Sequence, residues 1–227
     1  MNTRYDHFIN IFLYFYLQIK FMKQIAPIIL IILMTIFSFT LQAQRFHGGI
    51  VAGLVGSQVA GDTWSGFKKA GIFAGGYVSL DAGEKSSFRM ELTYFQKGSR
   101  ENPTEENGYQ SYLLRLNYIE MPLFYQYQAG RFVIFAGPSA GFTMGYYEEV
   151  NQEVISDQQF YNKPARVTVQ INLGFRFELT PSLGVDFRTN NSLWNVFSNN
   201  QSGDVWRLWD HGRYNDALVL SMYYQFR

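Results

Sequence analysis

From Gln44 to the end of the chain, apolar and polar residues alternate one for one in most of the segments between polar breaks, with no sustained helical period. A period of two is the signature of extended strands with one apolar and one polar face. Arg166 to Glu178 is the clearest case: Val167, Val169, Ile171, Leu173, Phe175 and Phe177 share one face, and Arg166, Thr168, Gln170, Asn172, Gly174, Arg176 and Glu178 the other. The last segment repeats the pattern, with Leu218, Leu220, Met222, Tyr224 and Phe226 opposing Ala217, Val219, Ser221, Tyr223, Gln225 and Arg227. Phe132 to Tyr146 and Phe88 to Phe95 alternate likewise. Eight such segments are predicted, near 46–59, 68–81, 86–98, 111–128, 131–147, 165–178, 182–197 and 214–227.

The connections alternate in length. Ala82-Gly83-Glu84-Lys85, Ala129-Gly130 and Thr180-Pro181 are short, whereas Ser99 to Gln110, Glu148 to Pro164 and Ser198 to Arg213 are long and polar; only Gly61 to Phe67 is of middling length. An up-and-down membrane barrel has this pattern, with short periplasmic turns and longer outer loops. The expected fold is therefore all-β: an eight-stranded antiparallel transmembrane barrel. A soluble lipocalin-like barrel or sandwich is the rival. Against it stand a polar face rich in Gly, Ser, Thr, Asn and balanced charges, as a narrow lumen requires, and Tyr and Phe near strand ends, as at membrane interfaces.

Ahead of the strands, Met22-Lys23 leads into the apolar run Ile25 to Leu41 and then Gln42-Ala43-Gln44. Residues 22–43 read as a signal peptide with Ala43 at the cleavage site, against a transmembrane helix as the alternative. Residues 1–21 carry a second apolar patch and read as an upstream extension, the true start being Met22. The barrel domain is then 44–227.

Composition sharpens the picture. Of the 227 residues 16% are charged and 18% aromatic, and the net charge is +1. So few charges suit a lipid-facing surface, and the balance gives no reason to expect a nucleic-acid partner. With 0 Cys there is neither a disulfide framework, a thiolate metal site nor an acylated-cysteine anchor. No phosphate loop or metal-ligand spacing is present, and no cofactor is expected; Gly48-Gly49 and Gly75-Gly76 fall inside strands, where they relieve crowding.

Three blocks resemble a known family. Gly53-Leu54-Val55-Gly56-Ser57-Gln58 with Gly61-Asp62, Glu91-Leu92-Thr93-Tyr94-Phe95-Gln96-Lys97-Gly98-Ser99 and Tyr118-Ile119-Glu120-Met121-Pro122-Leu123 are similar to motifs of the PorT-like outer-membrane β-barrel proteins of Bacteroidetes. Val55 departs from the usual Asn, and Arg227 follows the closing aromatic. The resemblance implies location in the outer membrane far more firmly than activity. Some such proteins take part in type IX secretion, which makes secretion-machine proteins expected partners beside outer-membrane lipid and the barrel-assembly machinery.

The inward face is expected to collect Arg89, Glu91, Lys97, Glu120, Arg166, Arg176, Glu178, Asp186 and Arg188. In so narrow a lumen these charges are expected to pair and plug the barrel, an ion pathway being the alternative. Glu120 interrupts an apolar run, so it must point inward, and its expected partner is Arg89, Arg176 or Arg188. Barrel enzymes that use His with Ser or Asp form the rival class; the mature part has only His47 and His211, and although His211 could pair with Asp210 or Ser202, no motif spacing supports catalysis. The last long loop, with Trp206, Arg207, Trp209 and Arg213, reads as a contact surface or as an interfacial anchor. The functional expectation is a non-enzymatic barrel with a structural or interaction role, with secretion accessory, narrow pore and lipid-modifying enzyme as alternatives.

Overall fold

Residues with alternating faces can bury one face only if the sheet they form either stacks or closes, and here it closes. The computed structural model describes residues 45–62, 64, 66–155, 163–197, 205–208 and 210–226; the signal segment 22–43 and the extension 1–21 lie outside them. Eight long strands form the wall: β1 Phe46–Ala60, β2 Lys69–Asp81, β3 Ser86–Glu101, β4 Tyr112–Ala129, β5 Phe132–Val150, β6 Val167–Thr180, β7 Leu183–Ser192 and β8 Tyr214–Gln225. Each pairs antiparallel with its sequence neighbours. β8 then returns to β1, from Gly49 opposite Gln225 to Ala60 opposite Tyr214, so no edge is left.

The expected strands are found with small boundary changes and one larger one. β7 ends at Ser192 rather than 197. Beyond it the pairing becomes irregular: Val196 N–H still donates to Arg213 O at 2.9 Å, and the Asn195 side chain accepts the Phe197 and Arg213 N–H groups at 3.1 and 3.2 Å. β8 ends at Gln225, although Phe226 N–H still donates to Gly48 O at 2.8 Å. Short strands decorate the long-loop end: Glu153–Val154 pairs back on β5, and Val205–Arg207 pairs with Asp210–Gly212.

The two faces are chemically opposite. Outward lie Ile50, Leu54, Ile72, Val78, Met90, Leu92, Leu123, Ile134, Leu173, Leu220 and Met222, all exposed. Toward the short-turn end the outer face becomes aromatic, with Phe88 edge-on to Tyr125 at 5.6 Å, Phe132 against Phe177 at 5.1 Å and Tyr224 edge-on to Phe226 at 6.1 Å. A soluble barrel would hide this surface; one embedded in lipid needs it, with rings gathered at the interface.

Away from the short-turn end, where a polar cavity opens, the lumen is filled. Phe73, Phe95, Phe124, Phe135, Tyr77, Tyr118 and Tyr223 pack among the buried charges, so the inner face is not purely polar. Glycine makes the room: a Cβ on Gly174 would stand 2.6 Å from the Phe135 ring and 2.7 Å from Arg188 Cβ. A valine there has nowhere to go. Gly174→Val should cost at least about 1–3 kcal/mol in urea unfolding of the micelle-folded barrel. Gly83→Ala, where nothing lies within 4 Å of the added carbon, should leave the midpoint unchanged.

Candidate functional site: the charged lumen

Strand parity delivers the charges to the lumen. Arg89, Glu91 and Lys97 come from β3, Glu120 from β4, Arg176 from β6, and Asp186 and Arg188 from β7, all buried. Nearest the short-turn end, Arg176 donates from Nε and Nη2 to the two oxygens of Asp186 at 2.7 and 3.0 Å, a bidentate fork. Arg89 lies 2.9 Å from Glu91 and 3.7 Å from Asp186. Across the lumen Arg188 donates to the second Glu91 oxygen at 2.9 Å. Two carboxylates thus hold three guanidinium groups in one chain.

The rings between them absorb the excess positive charge. The Arg89 guanidinium lies 3.7 Å from the Tyr77 ring centroid, Arg176 4.1 Å from Tyr223 and Arg188 4.3 Å from Phe73. Each ring face is a weak acceptor for a cation and takes no water with it.

A second cluster lies toward the long-loop end. Lys97 pairs with Glu120 and donates to Asn190 Oδ1 at 2.6 Å, while Asn190 Nδ2 donates to the other Glu120 oxygen at 3.0 Å and to Asn172 Oδ1 at 2.8 Å. Asn172 donates to Ser139 Oγ at 3.0 Å, and Ser139 to Gln170 Oε1 at 3.1 Å. The hydrogen bonds therefore cross from β3 and β4 to β5, β6 and β7.

Glu120 does face inward, but its cation is Lys97 and not one of the arginines. Thr93 stands opposite Glu120 in the β3–β4 ladder, which leaves Arg89 and Lys97 each four residues away along β3. Glu91 and Asp186 engage the arginines, and Lys97 takes Glu120. The Asn190–Asn172–Ser139–Gln170 chain, also absent from the sequence reading, had parity as its signal: all four positions alternate inward.

Arg166 does not join the network. It is exposed in the bend before β6, where regular alternation has not begun, and its carbonyl accepts the Thr143 N–H at 3.0 Å. Glu178 is half-buried at the short-turn end, where Gln128 Nε2 donates to it at 3.1 Å.

At the long-loop end Trp206 is 60% exposed, whereas Arg207 turns back to the barrel, its guanidinium forked onto Asp216 with both bonds at 2.7 Å. Arg213 lies 4.8 Å over the Phe197 ring, and Trp209 is outside the described residues. Of the expected contact residues, then, Trp206 projects while Arg207 braces the loop. In the β1–β2 loop, burial pushes the Asp62 carboxyl above its usual range, outweighing the Ser99 contact and the Trp64 N–H. His47 is held between Asp81, 3.1 Å from Nε2, and Gln225, 3.3 Å from Nδ1; His211 is exposed.

A closed lipid-facing barrel with a hydrogen-bonded lumen defines a small outer-membrane barrel protein. Residues 42–198 match the family described as outer membrane protein beta-barrel domain, and the chain belongs to that family. No curated protein matches the chain. Among solved structures it is similar to Neisserial surface protein A, with 10% identity over 82% of this chain and 100% of the other and a TM-score of 0.44. It is similar also to Ail, the attachment invasion locus protein of Yersinia pestis, with 10% identity over 80% and 99% and a TM-score of 0.46. A major outer membrane protein from Thermus thermophilus gives 13% identity over 82% and 100%, with a TM-score of 0.41.

Removing one member of a buried pair strands the other. Lys97→Met and Glu120→Gln should each destabilise the barrel by about 3–5 kcal/mol in urea. The double variant should cost clearly less than the sum, a coupling that a double-mutant cycle reads directly.

Proposed function

We propose that this protein is a non-conducting outer-membrane barrel that serves as a structural or interaction scaffold, presenting its long loops outside the cell. The observation that carries the reading is the lumen itself. Its charges are paired across strands, and its rings lie against the guanidinium groups, as where Arg176, forked on Asp186, lies 4.1 Å from the Tyr223 ring centroid. Conduction needs ions to exchange water for wall groups that release them easily, and paired charges have no such vacancy.

The reading assigns no catalysis. Its support is that His47 has both ring nitrogens bonded, to Asp81 and Gln225, which leaves none to activate a nucleophile. Contact with other proteins falls to the loop end, where Trp206 is exposed and braced by Arg207. Kinship with PorT-like proteins of Bacteroidetes, and with it an accessory part in secretion, has the three sequence blocks around Gly53, Glu91 and Tyr118 as its support. Export by a signal peptide spanning 22–43 completes the reading, and N-terminal sequencing of membrane-extracted protein should begin at Gln44.

In planar bilayers the purified barrel should show no steady conductance. Replacing Arg89, Arg176 and Arg188 together by alanine, in a variant shown to remain folded, should open one. Steady wild-type conductance that falls on changing Glu120 or Arg176 would overturn the plugged lumen.

A further inference from the structure

The outward face of β3 and β4 changes character along its length. From the short-turn end it is apolar through Met90 and Leu92 on β3 and through Leu123, Met121 and Ile119 on β4. Three polar side chains follow: the Tyr94 hydroxyl and Gln96 Nε2 both donate to Asn117 Oδ1, at 2.9 and 3.2 Å. Amides and hydroxyls belong where hydrocarbon gives way to headgroups. One step further out stand Arg115 and Arg100, both exposed. Gly98 is opposite Arg115 in the ladder and Leu113 opposite Arg100, which makes the two arginines diagonal neighbours, about 7–8 Å apart. Gly98 has no side chain with which to cover Arg115.

A third cation stands behind them. The β2–β3 ladder ends at Phe73 opposite Phe95, and beyond it the buried Lys69 ammonium donates to Ala70 O at 2.5 Å and to Gln96 Oε1 at 3.5 Å. The charges of Arg115 and Arg100 are near enough to act on it. Among the described residues none of the three has a carboxylate partner: Arg100 Nε donates to Asn102 Oδ1 at 3.0 Å, and Arg115 has the Tyr147 ring at 5.7 Å. The carboxylates of this rim are engaged elsewhere. Glu101 takes Lys68 at 2.6 Å, and Glu148 and Glu149 accept the Tyr112 and Tyr147 hydroxyls at 2.8 and 2.7 Å. Glu149 shares the outward face, opposite Leu113, and offsets one of the three charges.

Like charges side by side in a sheet repel, and an anion set between them turns that cost into attraction. The position of the patch narrows the anion. It lies on the wall of the barrel directly above the apolar band, where an amphiphile with its chains along Leu92, Ile119 and Met121 carries its headgroup to Arg100 and Arg115. A phosphate monoester brings up to two negative charges and three acceptor oxygens, which suit guanidinium forks.

We propose that Arg100 and Arg115 bind the phosphate monoester headgroup of an outer-leaflet lipid, with Lys69 adding its charge from between β2 and β3. Long loops face away from the cell in outer-membrane barrels, which sets this rim in the outer leaflet.

The test uses the mature barrel in neutral maltoside micelles, with retained lipid counted by native mass spectrometry as the mole fraction of phosphatidic acid, a phosphate monoester, is raised. One phosphatidic acid should be retained saturably. Phosphatidylglycerol, a diester with a single charge, should need several-fold more for equal occupancy. Arg100→Gln and Arg115→Gln should each raise the half-saturating fraction about five-fold, the equivalent of about 1 kcal/mol per cation. Arg115→Lys, which keeps the charge and loses the fork, should raise it less. Arg131→Gln, which removes an exposed arginine at the short-turn end, should leave it unchanged; all three arginines are exposed, so folding is not at stake. Glycerol 3-phosphate, the same headgroup without chains, should not displace the lipid. Unchanged retention in Arg100→Gln and Arg115→Gln, an equal loss in Arg131→Gln, or equal retention of phosphatidylglycerol overturns the proposal in favour of unspecific attraction. Displacement by glycerol 3-phosphate overturns it in favour of a soluble phosphate.

Discussion

In hydrocarbon a backbone N–H or C=O without a partner costs several kcal/mol, and a sheet can avoid that only by having no edge. The pairing of β8 with β1 meets this constraint, and the rest of the molecule follows from it. Closure divides the side chains into an outer set that meets lipid and an inner set that meets only itself. With eight strands the inner space is just wide enough for side chains to fill.

That narrowness explains the chemistry of the lumen. Charges on the inner face cannot be hydrated as they would be on a surface, so each needs a partner within the same confined space. The solution found is mixed. Arg89, Arg176 and Arg188 share Glu91 and Asp186 while lying against Tyr77, Tyr223 and Phe73, and Lys97 and Glu120 are joined by Asn190. Rings and charges alternate because charges alone do not fill the volume, and Arg89, whose nitrogens make no hydrogen bond, lies against the Tyr77 ring beside its ion pair with Glu91. The interior consequently cross-links strands far apart in the chain, as Arg188 to Glu91 shows, and stiffens a wall only one layer thick.

The proposed function lies where this packing stops. It stops short of the periplasmic end, where the polar cavity beneath Arg176 begins, and at the outer end, where Arg207 ties the last loop to Asp216 and lets Trp206 project. The ends are therefore the surfaces through which so closed a barrel can meet other molecules. The membrane fixes which end faces which compartment.

The alternation in Val167 to Glu178 and in the last strand was enough to call for strands, and the alternating connection lengths for their up-and-down order, because both are local properties of the chain. Parity alone placed Arg89, Glu91, Glu120, Arg176, Asp186 and Arg188 in the lumen, and it failed at Arg166, where the strand had not yet begun. Which charges pair was decided only by the tertiary structure. Glu120 has Arg89 and Lys97 at equal distances along the neighbouring strand, and the choice falls to Lys97 because Glu91 and Asp186, brought in partly from the far wall, engage the arginines. The same holds for the rings beneath those arginines and for Arg207, whose partner Asp216 lies on β8. A strand's own sequence dictates which way each side chain points, but what it meets across a closed lumen depends on the stagger and closure of all eight strands together.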